Sequence, residues 1–154
     1  MSTTTNAVPY AATPFQYPNG KLVRSYRHTT ATADFSIAAD QVNFFKMPRN
    51  AKILGVRLIP TDLDTHATPT LTLTVNLYDG TTTKTYISAQ TGGQTGVVCV
   101  PTSSAELAVI GYVTANDNFY FLVTIGTGAA TAAAGSIYLE VEYTCDLEYG
   151  EGSS

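Results

Sequence analysis

Leu71-Thr72-Leu73-Thr74-Val75-Asn76-Leu77 places an apolar residue at every second position, with small uncharged polar residues between. Successive side chains of a strand point to opposite faces, so this run buries one face and wets the other. Thr suits the wet face because its branched Cβ favours an extended backbone. The alternation returns at Ile137, Leu139, Val141 and Tyr143, with Glu140 and Glu142 facing outward as solubility or edge-protection charges. Runs of this kind predict an all-β domain in which half-buried strands enclose one core.

Outward from that stretch, turn residues divide the chain into short strand-like segments. Leu22 to His28, Phe35-Ser36-Ile37 and Val42 to Lys46 read as strands, and Pro48-Arg49-Asn50 interrupts them. Ile53 to Ile59 reads as a long strand with Leu54, Val56 and Leu58 on one face, followed by a polar loop from Thr61 to Pro69. Asp79-Gly80 is a strong turn signal that pairs Leu71–Tyr78 with Thr83–Ser88 as a hairpin. Thr91 to Gly96 is a loop, and Val97 to Val100 reads as a short strand ended by Pro101. Ser103 to Ile110 has helical spacing, with Ser103 or Ser104 as the cap and Leu107, Ala108 and Ile110 inward. Phe119 to Ile125 is apolar on both faces and is expected at the centre of a sheet. A Gly/Ala loop from Gly126 to Gly135 precedes the last strand.

About eight strands, with turn signals every ~8–12 residues, predict an antiparallel β-sandwich or barrel. The long excursions between strands favour a Greek-key or jelly-roll sandwich over a simple meander, with the jelly-roll as the expectation. Three regions follow: an extended N-terminal arm (1–20), the sandwich (21–145) and a short acidic tail (146–154). Pro9, Pro14 and Pro18 keep the arm out of helices and central strands. Tyr10, Phe15 and Tyr17 stand close together in it and are expected to anchor it in grooves of this chain or of a neighbour.

Composition narrows the function. The chain has 154 residues, enough for one core without a metal or disulfide. Only 13% of residues are charged, about half the usual share of roughly 25%, which suits either extensive protein contact or a surface solvated by Thr and Asn. The net charge of −4 argues against non-specific nucleic-acid binding. Two loose basic groups, Lys21/Arg24/Arg27/His28 and Lys46/Arg49/Lys52/Arg57, read as solvated or interface charges. No apolar stretch approaches the ~20 residues that span a membrane. The N-terminus lacks the basic and apolar regions of a signal peptide, so the protein is expected to be made and kept in a cytoplasm. Cys99 and Cys145 are expected as buried free thiols, with their pairing left open.

No catalytic constellation accompanies the strands. Asp62-Leu63-Asp64-Thr65-His66 resembles a ligand group, but it lacks the glycine and distal Glu of a calcium loop, and turn capping by the two Asp is the expectation. Neither His66 nor His28 has a nearby His or Cys to complete a zinc site. There is no Gly-x-Ser-x-Gly elbow and no phosphate loop. Glu140 and Glu142 lie about 7 Å apart along one strand face, within the inverting-glycosidase range, yet such pairs come from different elements lining a cleft. The expectation is a non-enzyme with no cofactor and no metal.

Phe44-Phe45-Lys46-Met47-Pro48-Arg49-Asn50-Ala51-Lys52-Ile53-Leu54-Gly55-Val56 resembles a "lysine, apolar, proline, small, alanine, basic, β-branched" passage of small structural proteins of tailed-phage virions. Gly111-Tyr112-Val113-Thr114-Ala115-Asn116-Asp117, and Thr131-Ala132-Ala133-Ala134-Gly135-Ser136-Ile137 before the last strand, extend the resemblance over about Lys21 to Thr144. It implies a sandwich, often jelly-roll, that decorates or cements the outside of a capsid as a trimer or dimer and ties subunits of the major capsid protein together, with no catalytic residues. Tyr10, Phe15 and Tyr17 are then the expected partner contacts, on physical grounds alone. A tail, fibre or collar component is the alternative in the same setting. A carbohydrate-binding module is the alternative of another class, weakened by the absence of Trp.

Overall fold

The computed structural model describes residues 37–145 in full, and strand backbone at 4–6, 8–9, 15–16 and 21–30. The strands are β1 (Thr4–Asn6), β2 (Val8–Pro9), β3 (Phe15–Gln16), β4 (Lys21–Thr30), β5 (Gln41–Lys46), β6 (Ala51–Pro60), β7 (Thr72–Tyr78), β8 (Thr83–Gln90), β9 (Tyr120–Thr127) and β10 (Gly135–Cys145). A short helix, α1 (Ser104–Ala108), and a 3-10 turn (Gly92–Gln94) lie between β8 and β9. One sheet has the order β1-β5-β9-β7-β8; the other has β2-β4-β10-β6, with β3 also on β4. The pairings are antiparallel except that of β1 with β5.

The two sheets close on one core. Leu73, Val75 and Leu77 of β7 join Phe121, Val123 and Ile125 of β9 and Ile137, Leu139 and Val141 of β10 in a single cluster, each 0% exposed. Burying each such aliphatic side chain contributes about 1.5–3 kcal/mol. The alternation of Leu71 to Leu77 is therefore a strand with one face in the core and Thr72, Thr74 and Asn76 outward. β9 lies between β5 and β7, in the central place its two-sided apolar pattern predicts. Leu122, buried but outside the core cluster, is on its other face.

Bulges explain several departures from the sequence reading. Glu142 pairs with Gly55 and Tyr143 with Ile53, which leaves Leu54 as an extra residue. Parity flips there, so Ile53, Val56 and Leu58 are buried and Leu54 does not share their face. In β5, Phe44 and Phe45 together span the interval between Asn43↔Leu122 and Lys46↔Tyr120, and both are buried. In β8, Tyr86 and Ile87 are consecutive and fully buried for the same reason.

Three further expectations are corrected. Ile37 is in a bend and is exposed, and Phe35 and Ser36 lie outside the described residues. Val97 to Val100 is not a strand: Cys99 alone bridges Leu58 of β6, and the three valines are exposed. Leu107 and Ala108 of α1 face outward, because the helix is held by the carboxylate of Glu106, while Ile110 packs against the core.

The first twenty residues contribute β1 to one sheet and β2 and β3 to the other. Val8–Pro9 takes an edge position, where the missing proline N–H costs no ladder bond. Tyr10, Tyr17 and the tail 146–154 lie outside the described residues; of Phe15, the backbone is placed, opposite Val23.

Candidate functional site

The outward polar residues of β7 hold the sheet rather than a ligand. Thr72 Oγ1 accepts the N–H of Thr127 at 2.8 Å, Thr74 Oγ1 accepts that of Ala89 at 3.0 Å, and Asn76 Oδ1 accepts the Thr85 hydroxyl at 2.8 Å. The first two bonds fall where a bulge displaces an N–H from the ladder.

Asp62 to His66 combines a turn with a buried carboxylate. Asp62 Oδ1 accepts the N–H of Asp64, as a turn-capping Asp does. Asp64, 1% exposed, reaches further. Its Oδ2 accepts N–H groups from Thr70 (2.7 Å), Leu71 (3.1 Å) and Ala130 (3.0 Å), and its Oδ1 accepts from Thr131 (2.9 Å) and His66 (3.4 Å). Burial alone raises the pKa of a carboxyl; the backbone donors outweigh it and hold Asp64 well below the usual range. The carboxylate thus ties the β6–β7 connection to the β9–β10 connection. Its lone pairs are occupied by the protein, which removes it from the donor set of a cation. His66 is exposed and its Nδ1 accepts the N–H of Thr68 at 3.1 Å. Among the described residues, no group of three His, Cys, Asp or Glu is placed to hold a metal ion.

Glu106 forms a second knot that the sequence reading missed. It is 3% exposed; Oε1 accepts the N–H of Ser88, and Oε2 accepts those of Thr102 (2.8 Å) and Ser103 (2.7 Å). Ser103 Oγ accepts the N–H of Glu106 in return, which completes a capping box. Burial opposes ionisation here too, yet these donors lower its pKa from 4.5 to about 2. The Ser-x-x-Glu spacing is the signal that marks it in the sequence.

Glu140 and Glu142 are on β10, which is flanked by β4 and β6, so they protect no edge. They line an open cleft of about 250 Å³ with Gly55, Val56, Arg57 and Val100. The Arg57 guanidinium donates to Glu140. The pair lies at the surface, with the Arg57 side chain exposed and that of Glu140 partly so.

The connection from β8 to β9 has a different character. From Thr91 to Asn116 the one charged residue is Glu106, which is buried. Five of the six large exposed hydrophobic residues among those described belong to this segment: Val97, Val98, Val100, Leu107 and Val113. Cys99 pins its middle to β6, donating to Leu58 O at 2.8 Å and accepting from Leu58 N at 3.0 Å. Both cysteines are free thiols, Cys99 buried and Cys145 half-buried. No helix among the described residues is long and apolar enough to cross a membrane.

Two sheets around one core, antiparallel apart from the β1–β5 pair, with short strand additions from the N-terminal segment, make a β-sandwich. The chain is similar to a chain of the cyanophage Pam1 capsid asymmetric unit, with 28% identity and a TM-score of 0.62 over 88% of this chain and 92% of that one. Its fold is also that of a chain in the capsid of Ralstonia phage GP4, with 23% identity and a TM-score of 0.65 over 99% and 100% of the two chains. The first likeness supports a phage virion structural protein, and the second shows the fold. No protein-family model and no curated protein matches the sequence.

Proposed function

We propose that this chain is a capsid decoration protein, a non-enzymatic virion component that binds the outside of a phage head and stabilises it by bridging subunits of the major capsid protein. The observation that carries this reading is the likeness to a chain of the Pam1 capsid along nearly the whole length of both chains. The buried carboxylates support it, because they rigidify the connections between strands and are spent in doing so. The low share of charge supports it too, since protein interfaces are depleted in charge at their centres. The mechanism is mechanical. Each copy makes modest contacts through the sandwich and the arm, with Tyr10, Phe15 and Tyr17 as the anchors, and symmetry repeats them over the shell.

The test is sedimentation of the full chain, and of a variant lacking residues 2–18, with purified expanded heads. The full chain is expected to co-sediment in tens to hundreds of copies per head. A particle carrying a dozen or fewer copies reassigns the chain to the tail or collar. Undiminished binding by the shortened variant removes the arm from the mechanism.

A further inference from the structure

We propose that the segment following Cys145 docks back onto its own chain: Asp146, Glu148 and Glu151 lie along the basic connection that carries Lys46, Arg49 and Lys52, and Tyr149 enters the groove beside Lys46. The inference concerns the free chain and stands or falls apart from head binding.

The surface is built by the connection from β5 to β6, which crosses from one sheet to the other. Met47, 1% exposed, donates its N–H to Phe119 O at 2.8 Å, and Asn50 donates to Thr114 O at 2.9 Å. Ala51 is fully buried and donates to the Thr114 hydroxyl oxygen at 2.9 Å. These anchors fix the backbone, while Lys46, Arg49 and Lys52 are exposed around them. No acidic residue lies between positions 46 and 52. Asp117 Oδ1 accepts the Arg49 N–H at 2.8 Å, and that one carboxylate against three cations leaves the connection positive.

Beside Lys46 is a groove of about 450 Å³, lined by Asn43, Phe44, Phe45, Lys46 and Tyr120. β1 pairs with β5 at Gln41, Val42 and Asn43 and no further, so the groove opens where that pairing stops. Its lining is aromatic, with one amide and one ammonium group. A tyrosine suits that chemistry, because its ring packs against aromatic walls and its hydroxyl meets a polar group.

Position, reach and charge select residues 146–151 as the occupant. Cys145 pairs with Ala51, and its Sγ donates to Arg49 O at 3.6 Å, so the segment leaves β10 at the basic connection itself. Tyr149 is four residues beyond Cys145, a reach of up to ~13 Å, and Lys46 is three residues from Arg49, at most ~11 Å away. The segment holds Asp146, Glu148 and Glu151 around Tyr149 and no basic residue. The aromatics of the arm do not match in charge, since residues 1–20 contain neither Asp nor Glu. Because the segment belongs to the same chain, it meets the surface at a high effective concentration and needs only modest contacts to stay there.

The test exploits the absence of Trp from the chain. Tyr149→Trp places a single indole in the full chain. Its emission is expected to be blue-shifted from that of a free peptide of residues 145–151 with the same substitution. Acrylamide, a neutral quencher, is expected to reach it about threefold less readily than in the peptide, because the ring is packed. The shift is expected to be the same at every protein concentration, to be lost when Arg49→Ala and Lys52→Ala are added, and to survive Arg57→Ala. Circular dichroism checks the fold. Asp146→Asn, Glu148→Gln and Glu151→Gln together remove the same attraction from the other side, and they decide the matter if the basic variants unfold. An indole as accessible in the full chain as in the peptide overturns the proposal. So does a shift that grows with protein concentration, which assigns the groove to the segment of another copy. A shift that survives both sets of charge variants, or that Arg57→Ala abolishes equally, overturns it as well.

Discussion

The Thr74 hydroxyl accepts the backbone N–H of Ala89 at 3.0 Å, where β8 carries one more residue than β7 between the pairs Leu73↔Gln90 and Val75↔Ile87. A bulge on an edge strand discourages pairing with a foreign strand, but it strands an N–H that the ladder no longer reaches. Thr74 supplies the acceptor from the neighbouring strand. Thr74→Val, of nearly the same shape, is expected to lower the unfolding free energy by about 1 kcal/mol, because water replaces part of the lost bond at the exposed Ala89. Thr74→Ser is expected to retain most of it. Urea denaturation measures both; a loss in Thr74→Ser with none in Thr74→Val would mean that the methyl group matters and the hydroxyl does not.

Asp64 holds together segments that are far apart in sequence. Asp64→Asn keeps the size of the side chain but points an NH2 group at backbone donors that need acceptors. A loss of about 3 kcal/mol is expected, on the scale of hydrogen bonds to a charged acceptor and a buried donor left unmet. Hydrogen exchange is expected to rise at Thr70, Leu71, Ala130 and Thr131 together, since one carboxylate binds all four N–H groups. Increased exchange confined to 64–71 would show that the β9–β10 connection is held by other means.

Acid exposes the same two carboxylates. Both have folded pKa values below their unfolded ones, Glu106 near 2 against 4.5 and Asp64 lower still than its own ordinary value. A depressed folded pKa contributes stability that is fully present above the unfolded pKa and is lost as pH falls toward the folded one. The urea midpoint is therefore expected to hold steady near neutrality and to fall from about pH 5 down to about pH 2. The double variant Asp64→Asn, Glu106→Gln is expected to be weaker at pH 7 and to show a flatter decline. An undiminished slope in that variant would assign the acid sensitivity to other groups.

Periodicity carried the sequence reading where a strand has one buried face and no irregularity. Leu71 to Leu77 and Ile137 to Tyr143 alternate without interruption, and their burial follows. It failed where pairing slips. Nothing local to Leu54 announces that Gly55 and Ile53 will face successive residues of a strand some ninety positions later. The apolar run at 97–100 forms no strand, because hydrophobic composition does not say whether a surface is available to cover it. Asp64 was legible as a turn cap through its neighbours, but its donors at Ala130 and Thr131 lie 66 and 67 residues away. Glu106 had a local signature in Ser103-x-x-Glu106, which marks the cap but not the bond to Ser88.

Gly92 controls whether the segment 97–100 keeps its place. A Cβ there would stand 2.2 Å from Val97 O and 2.3 Å from Cys99 Sγ, well inside contact distance of a backbone atom and a buried side chain. Gly92→Ala forces the segment 97–100 away from the 3-10 turn, and the expected cost is about 1–3 kcal/mol, as for other overpacked sites. The displacement has a chemical readout. Cys99 is 1% exposed, and burial pushes its thiol pKa up, so in the native protein it reacts with a thiol reagent only after local opening. Cys145 is half-buried and serves as an internal reference. In Gly92→Ala the labelling rate of Cys99 is expected to rise by tenfold or more, about the population shift that 1.4 kcal/mol produces, with Cys145 unchanged. Parallel acceleration at both thiols would instead indicate global unfolding, and an unchanged Cys99 rate would mean that the turn yields while the segment 97–100 and its bridge to Leu58 stay fixed.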